Sequence, residues 1–110
     1  MRLIWLASVL FLILMSPSAK GQGVGASGQI KGTVYDPAGR VIPNVTVEAL
    51  DTQKGTRYTV VSDSGGQFQF PSLPPSTYDL TSRNAGLQTQ VQKGLLLQVG
   101  DIATVDFHLA

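Results

Sequence analysis

The sequence predicts an all-β domain, a Greek-key sandwich of about seven short strands that follows an N-terminal signal helix. Three observations carry this. Apolar and polar residues alternate with a period of two from residue 28 onward, no convincing 3.6-residue stripe interrupts them, and turn-forming clusters recur at short intervals. Successive side chains of a strand point to opposite faces, so such strands bury one face each and do so best as two packed sheets.

The leader comes first. Met1-Arg2 precedes an apolar-dominated run from Leu3 to Met15, and Ser16-Pro17-Ser18-Ala19-Lys20-Gly21 follows it, the three-part layout of a secretory signal peptide. Thirteen apolar-dominated residues fall short of the roughly 20 that a helix needs to cross the hydrocarbon, which disfavours a permanent anchor. Ala19 and Gly21 place the cut before Gln22, with cleavage after Ser18 or Ala19 as alternatives. The domain plan is therefore a signal peptide over 1–21, a glycine-rich tether over 22–27 and a sandwich over 28–110. Four glycines in Gly21–Gly28 make the tether flexible, and no Gly-Lys-Ser/Thr closes it into a phosphate loop.

In the first strand Ile30, Gly32 and Val34 share one face, and Lys31, Thr33 and Tyr35 the other. Asp36-Pro37-Ala38-Gly39 ends it as a turn, since proline presets φ, aspartate bonds the backbone ahead and glycine tolerates positive φ. Val45, Val47 and Ala49 point inward in a second strand against Thr46, Glu48 and Leu50, and Thr52 to Gly55 closes it. The third strand, Thr56 to Ser62, sets Tyr58 and Val60 against Arg57, Thr59 and Val61 and is expected to be buried on both faces. Asp63-Ser64-Gly65-Gly66 is the strongest turn signal, and Gln67-Phe68-Gln69-Phe70 alternates after it.

Pro71 to Pro75 lacks three amide donors, so it cannot sit in a central strand and must round an edge or cross between sheets. Tyr78, Leu80 and Ser82 then alternate with Thr77, Asp79 and Thr81. Leu87 to Val99 reads as one strand with a glutamine-rich first half and Leu95-Leu96-Leu97 at its end. After Gly100-Asp101, Ala103, Val105, Phe107 and Leu109 face in, and Thr104, Asp106 and His108 face out. Phe68, Phe70, Tyr78 and Phe107 are the expected core pieces. Asp36, Gly39, Asp63, Gly65 and Gly66 are the expected turn residues. Tyr78 resembles the tyrosine-corner device, in which a phenol bonds backbone at one end of a sandwich.

Composition excludes much chemistry. The chain has 110 residues and no cysteine, which removes disulfides, zinc thiolates, iron–sulfur clusters and thiol catalysis. Its net charge is +1, and losing Arg2 and Lys20 with the leader leaves six basic against seven acidic side chains, so nucleic-acid attraction is not indicated. His108 is the single histidine and Glu48 the single glutamate, too few for a zinc peptidase centre or a Ser-His-Asp arrangement. Asp63, Ser64 and Asp36 fall short of a calcium shell, and Asn44-Val45-Thr46 matches the glycosylation pattern only as a strand entry. No catalytic, metal-binding or cofactor-binding residue is expected.

The strings Gly28-Gln-Ile-Lys-Gly-Thr-Val-Tyr-Asp-Pro-Ala-Gly-Arg-Val-Ile-Pro-Asn-Val-Thr-Val, Thr59-Val-Val-Ser-Asp-Ser-Gly-Gly-Gln-Phe-Gln-Phe and Leu73-Pro-Pro-Ser-Thr-Tyr-Asp-Leu resemble the carboxypeptidase regulatory-like domain family. The resemblance covers residues 28 to 109. It implies a transthyretin-like sandwich, related to carbohydrate-binding-like folds, that carries no catalytic residues. Such modules accompany metallocarboxypeptidases, and in bacteria they stand after the signal peptide of TonB-dependent outer-membrane receptors. The chain is thus read either as the leading part of such a receptor, whose plug and barrel would follow, or as a free-standing exported module. Membrane association is expected only through the leader or such a barrel, and the address is periplasm, outer membrane or medium. The chain departs from the family pattern at Ser76, where a glycine is usual and the hydroxyl is expected to strain a turn, and at Gly86-Leu87.

Two partner classes stay open. The uncharged stretch Gln88-Thr89-Gln90-Val91-Gln92 can add a protein strand if it forms an edge. Tyr35 is the one ring expected on the surface, so a polysaccharide would have to stack there.

Overall fold

A computed structural model describes residues 26–110. The expected leader and the tether up to Gly25 lie outside the described residues. Eight strands follow, with no helix among the described residues: β1 (Gly28–Tyr35), β2 (Thr46–Asp51), β3 (Arg57–Val61), β4 (Gln67–Leu73), β5 (Ser76–Arg83), β6 (Gln90–Leu97), β7 (Ile102–Thr104) and β8 (Phe107–His108). One sheet has the order β4-β1-β7 with β8 also on β1, and the other runs β3-β2-β5-β6.

The core between them is built by the alternation. Ile30 and Val34 of β1, Val45, Val47 and Ala49 around β2, Phe68, Phe70 and Leu73 of β4, Tyr78 and Leu80 of β5, and Leu97, Phe107 and Leu109 are all buried. Phe68 lies at the centre of an aromatic group, its ring centroid 6.2 Å from Phe70 edge to face and 5.9 Å from Phe107. Offset and edge contacts of this kind suit the charge distribution of the rings.

The last strand departs from expectation twice. It is broken into β7 and β8, which makes eight strands, and both pieces run parallel to β1 rather than antiparallel. The direction follows from the turn before it. The Gly100 amide donates to Ser27 O at 2.9 Å and the Gln29 amide to Asp101 O at 2.8 Å, so the chain leaving β6 joins the first sheet at the start of β1 and runs alongside it. The break has a local cause: the Val105 amide donates to Lys31 O at 2.8 Å, while the Thr33 amide donates to the Asp106 side-chain Oδ1 at 2.9 Å. A carboxylate thus stands where a ladder carbonyl would, and the strand resumes only at Phe107 opposite Val34.

Of three further elements, β3 and β6 depart from expectation, while Pro71 to Pro75 keeps out of a central strand and leads from one sheet to the other as expected. β3 is an edge strand with one buried side: Tyr58 and Val60 are half-buried, whereas Arg57, Thr59 and Val61 are exposed. β4 continues through Pro71 to Leu73, which proline tolerates because β4 is itself an edge, and Ser76 then opens β5 in the opposite sheet. β6 begins at Gln90, not Leu87, and carries a bulge where Lys93 and Gly94 together oppose Asp79. Gly94 takes a φ of 70° there and its amide donates to Asp79 Oδ1 at 2.9 Å, the left-handed bulge conformation that glycine adopts most readily. Of the three leucines that follow, Leu95 is half-buried, Leu96 exposed and Leu97 buried.

Candidate functional site

The acidic side chains serve the fold. All seven lie among the described residues, and each is engaged by the scaffold. Asp36 Oδ1 accepts the amides of Ala38 and Arg40 at 2.8 and 2.9 Å. Asp63 Oδ1 accepts those of Gly65 and Gln67, both at 2.9 Å. Each turn is completed from its aspartate carbonyl, by Gly39 in one and Gly66 in the other, so the two expected turns are copies of one device. Asp79 and Asp106 are spent on the bulge and the strand break above, and Asp101 Oδ2 accepts the Gln98 amide at 2.8 Å. Glu48 pairs with Arg57 at 2.8 Å and faces Arg83 at 3.7 Å. One oxygen of each aspartate is thus bonded within the scaffold, and Glu48 lies in an ion pair.

The seventh, Asp51, was not singled out by the sequence reading, although it continues the inward phase of Val45, Val47 and Ala49. It is fully buried, and its Oδ1 accepts the Ser76 hydroxyl at 2.6 Å and the amides of Gln53 and Lys54 at 2.9 and 3.1 Å. Ser76 therefore strains nothing: its hydroxyl is the partner a buried carboxylate requires. That hydroxyl, with the two amides and the Lys54 charge, holds the Asp51 carboxyl below its ordinary value of 3.8 against the opposing effect of burial. A folded pKa below the unfolded one contributes stability above pH 3.8 that is lost as pH falls through the folded value. Ser76→Ala is accordingly expected to lower the urea midpoint at neutral pH and to flatten its decline in acid, read from denaturation curves taken down through the carboxylate range. An acid decline as steep as the parent's would refute the pairing.

Tyr78 sits beside this group, opposite Asp51 in the β2–β5 register. Its hydroxyl donates to Pro74 O at 2.6 Å, which anchors the crossing between sheets in the manner of a tyrosine corner. Burial, the Asp51 charge and Tyr58 push its pKa up to about 12. Tyr78→Phe keeps the ring and removes the bond, so an expected loss of about 1 kcal/mol in chemical denaturation measures it.

The outer face of the first sheet offers the open surface. Register sets Gln69, Lys31 and Thr104 in one row across β4, β1 and β7, and Gln67 and Thr33 in the next, with Asp106 beside them. These six residues line a cleft of about 600 Å³, walled on one side by Val60 and Val61 of β3. Further along β1 on the same face, Tyr35 pairs with His108. Their rings stack with centroids 4.9 Å apart and planes 11° from parallel. Tyr35 is thus half-buried against a partner and not the solitary surface ring expected, and His108, though exposed, packs on it.

Two packed four-stranded sheets whose acids serve turns and pairings define a β-sandwich module. The carboxypeptidase regulatory-like domain model matches residues 29–110, and the chain belongs to that family, whose domains are non-catalytic modules. A search of curated proteins returned no match. Among solved structures, a Bacteroides uniformis protein provisionally assigned to carbohydrate binding aligns with a TM-score of 0.61 at 20% identity, covering 77% of this chain and 42% of its own. The Bacillus anthracis TIE protein aligns at 0.64 and 17%, over 76% of this chain and 16% of its own. Catechol 1,2-dioxygenase from Acinetobacter aligns at 0.60 and 13%, over 87% and 55%. The chain spans less than two thirds of each, and at these identities the likeness speaks of the fold alone. Among the described residues no three His, Cys, Asp or Glu side chains are grouped to hold a metal ion.

Proposed function

We propose that the chain is an exported, non-enzymatic interaction or spacer module of the bacterial cell envelope, the N-terminal extension of a TonB-dependent receptor-like protein. Membership of a family of non-catalytic modules carries the non-enzymatic part of this reading. The tripartite leader of residues 1–21 supports export. Expression of the full chain in a Gram-negative host tests it: the periplasmic product is expected to have the mass of a chain beginning at Gln22, Ala19 or Lys20. An unprocessed chain retained in the cytoplasm refutes export.

A second reading is favoured by one observation. The Tyr35–His108 stack beside a polar cleft combines ring surface with hydrogen-bonding groups, as polysaccharide recognition requires. The Bacteroides uniformis relative is in keeping with it. Titration against a polysaccharide panel separates the readings, since binding abolished by Tyr35→Ala supports recognition and uniform silence supports a spacer.

A further inference from the structure

We infer that the cleft on the outer face of the first sheet, centred on Lys31, Gln69, Thr104 and Gln67, is the seat of a neutral polysaccharide chain, an assignment that rests on the recognition reading above. The donors are unspent: among the described residues the side chains of Lys31, Gln67, Gln69 and Thr104 enter no hydrogen bond or ion pair with protein, in contrast to every carboxylate of the chain. The Gln69 amide and Thr104 hydroxyl each donate and accept, as the hydroxyls of a sugar do, and the Lys31 ammonium between them donates, so the row offers a polyol both donors and acceptors. The row is also periodic. Neighbouring strands stand about 4.8 Å apart and same-face residues about 6.6 Å apart along each strand, a regular grid that suits a repeating polymer.

Other occupants fit less well. A polyanion needs several cations, and the cleft holds one, Lys31, set against Asp63 and Asp106. A protein partner needs an apolar, aromatic centre. Here the apolar lining is Val60, Val61 and the largely buried Phe68, and the other side chains are amide, hydroxyl, ammonium and carboxylate. The stacked rings of Tyr35 and His108 lie past the Thr33 row, where a chain running along β1 would meet them.

The test uses the full chain and soluble neutral glucan, mannan and xylan, with polygalacturonate as the anionic control. Binding of one neutral polymer is expected, with amide shifts in its NMR spectrum clustered at Lys31, Gln69 and Thr104. The double substitution Lys31→Ala with Gln69→Ala touches no buried residue, and is expected to weaken that binding at least about tenfold, near 1.4 kcal/mol, with an unchanged melting temperature. If a neutral polymer binds but the double variant binds as tightly and the shifts fall elsewhere, the cleft assignment is wrong and recognition stands. If only polygalacturonate or a protein binds, or no polymer does, recognition itself fails.

Discussion

Gly32→Ala is expected to destabilise the domain by about 3 kcal/mol or more, the upper end of what overpacking costs. A β-carbon at residue 32 would lie 1.7 Å from Val105 O, 2.6 Å from Val105 C and 2.9 Å from Phe68 Cε2. Two of these are backbone atoms held by the Val105 amide bond to Lys31 O, so neither can swing aside as a side chain would. Relief requires the β7–β8 segment to lift from β1, which breaks that bond and the Thr33–Asp106 bond beside it. Gly39→Ala is the control, because Gly39 has a φ of 85° but nothing within 4 Å of the added carbon. There only the left-handed backbone is penalised, by about 1–2 kcal/mol. Urea midpoints at matched slope read both, and a Gly32→Ala midpoint equal to or above that of Gly39→Ala would overturn the close approach.

Phe68→Ala is expected to cost about 3–5 kcal/mol. Its ring touches both Phe70 and Phe107, and so joins β4 to β8 across β1. A domain of about 85 residues has on the order of 4–13 kcal/mol in total, and with no cysteine in the chain nothing covalent supports the core. The variant should therefore lose near-ultraviolet dichroism at ambient temperature or sit close to its midpoint. Phe68→Leu, which refills most of the space, is expected to retain the fold. Equal stability of the alanine and parent chains would show that the aromatic group is not the centre of the core.

Much of what depends on alternation was legible in the sequence. The inward phase of Val45, Val47 and Ala49, the faces of Ile30 and Val34, and the Asp36 and Asp63 turns are local consequences of side-chain period and of aspartate reaching forward along its own backbone. What was not legible depends on neighbours distant in sequence. Alternation places Tyr35 and His108 each on an outer face but not beside one another, since their pairing depends on β8 joining β1. The split of the last strand is imposed by Asp106 reaching Thr33, 73 residues away. Asp51 differs from both, because its inward phase was readable and only the partner in Ser76 was hidden.

The shared direction of the first and last strands has a mechanical consequence. With β7 and β8 running the same way as β1, the polypeptide enters the sheet at Gly28 and leaves it beyond Leu109, at the opposite end. Tension applied between the two ends would load the bonds from Gln29 to Tyr35 together, sideways to their axes, instead of peeling them one by one. Such a unit, about 26 Å along its eight-residue strand, transmits force in series before it yields.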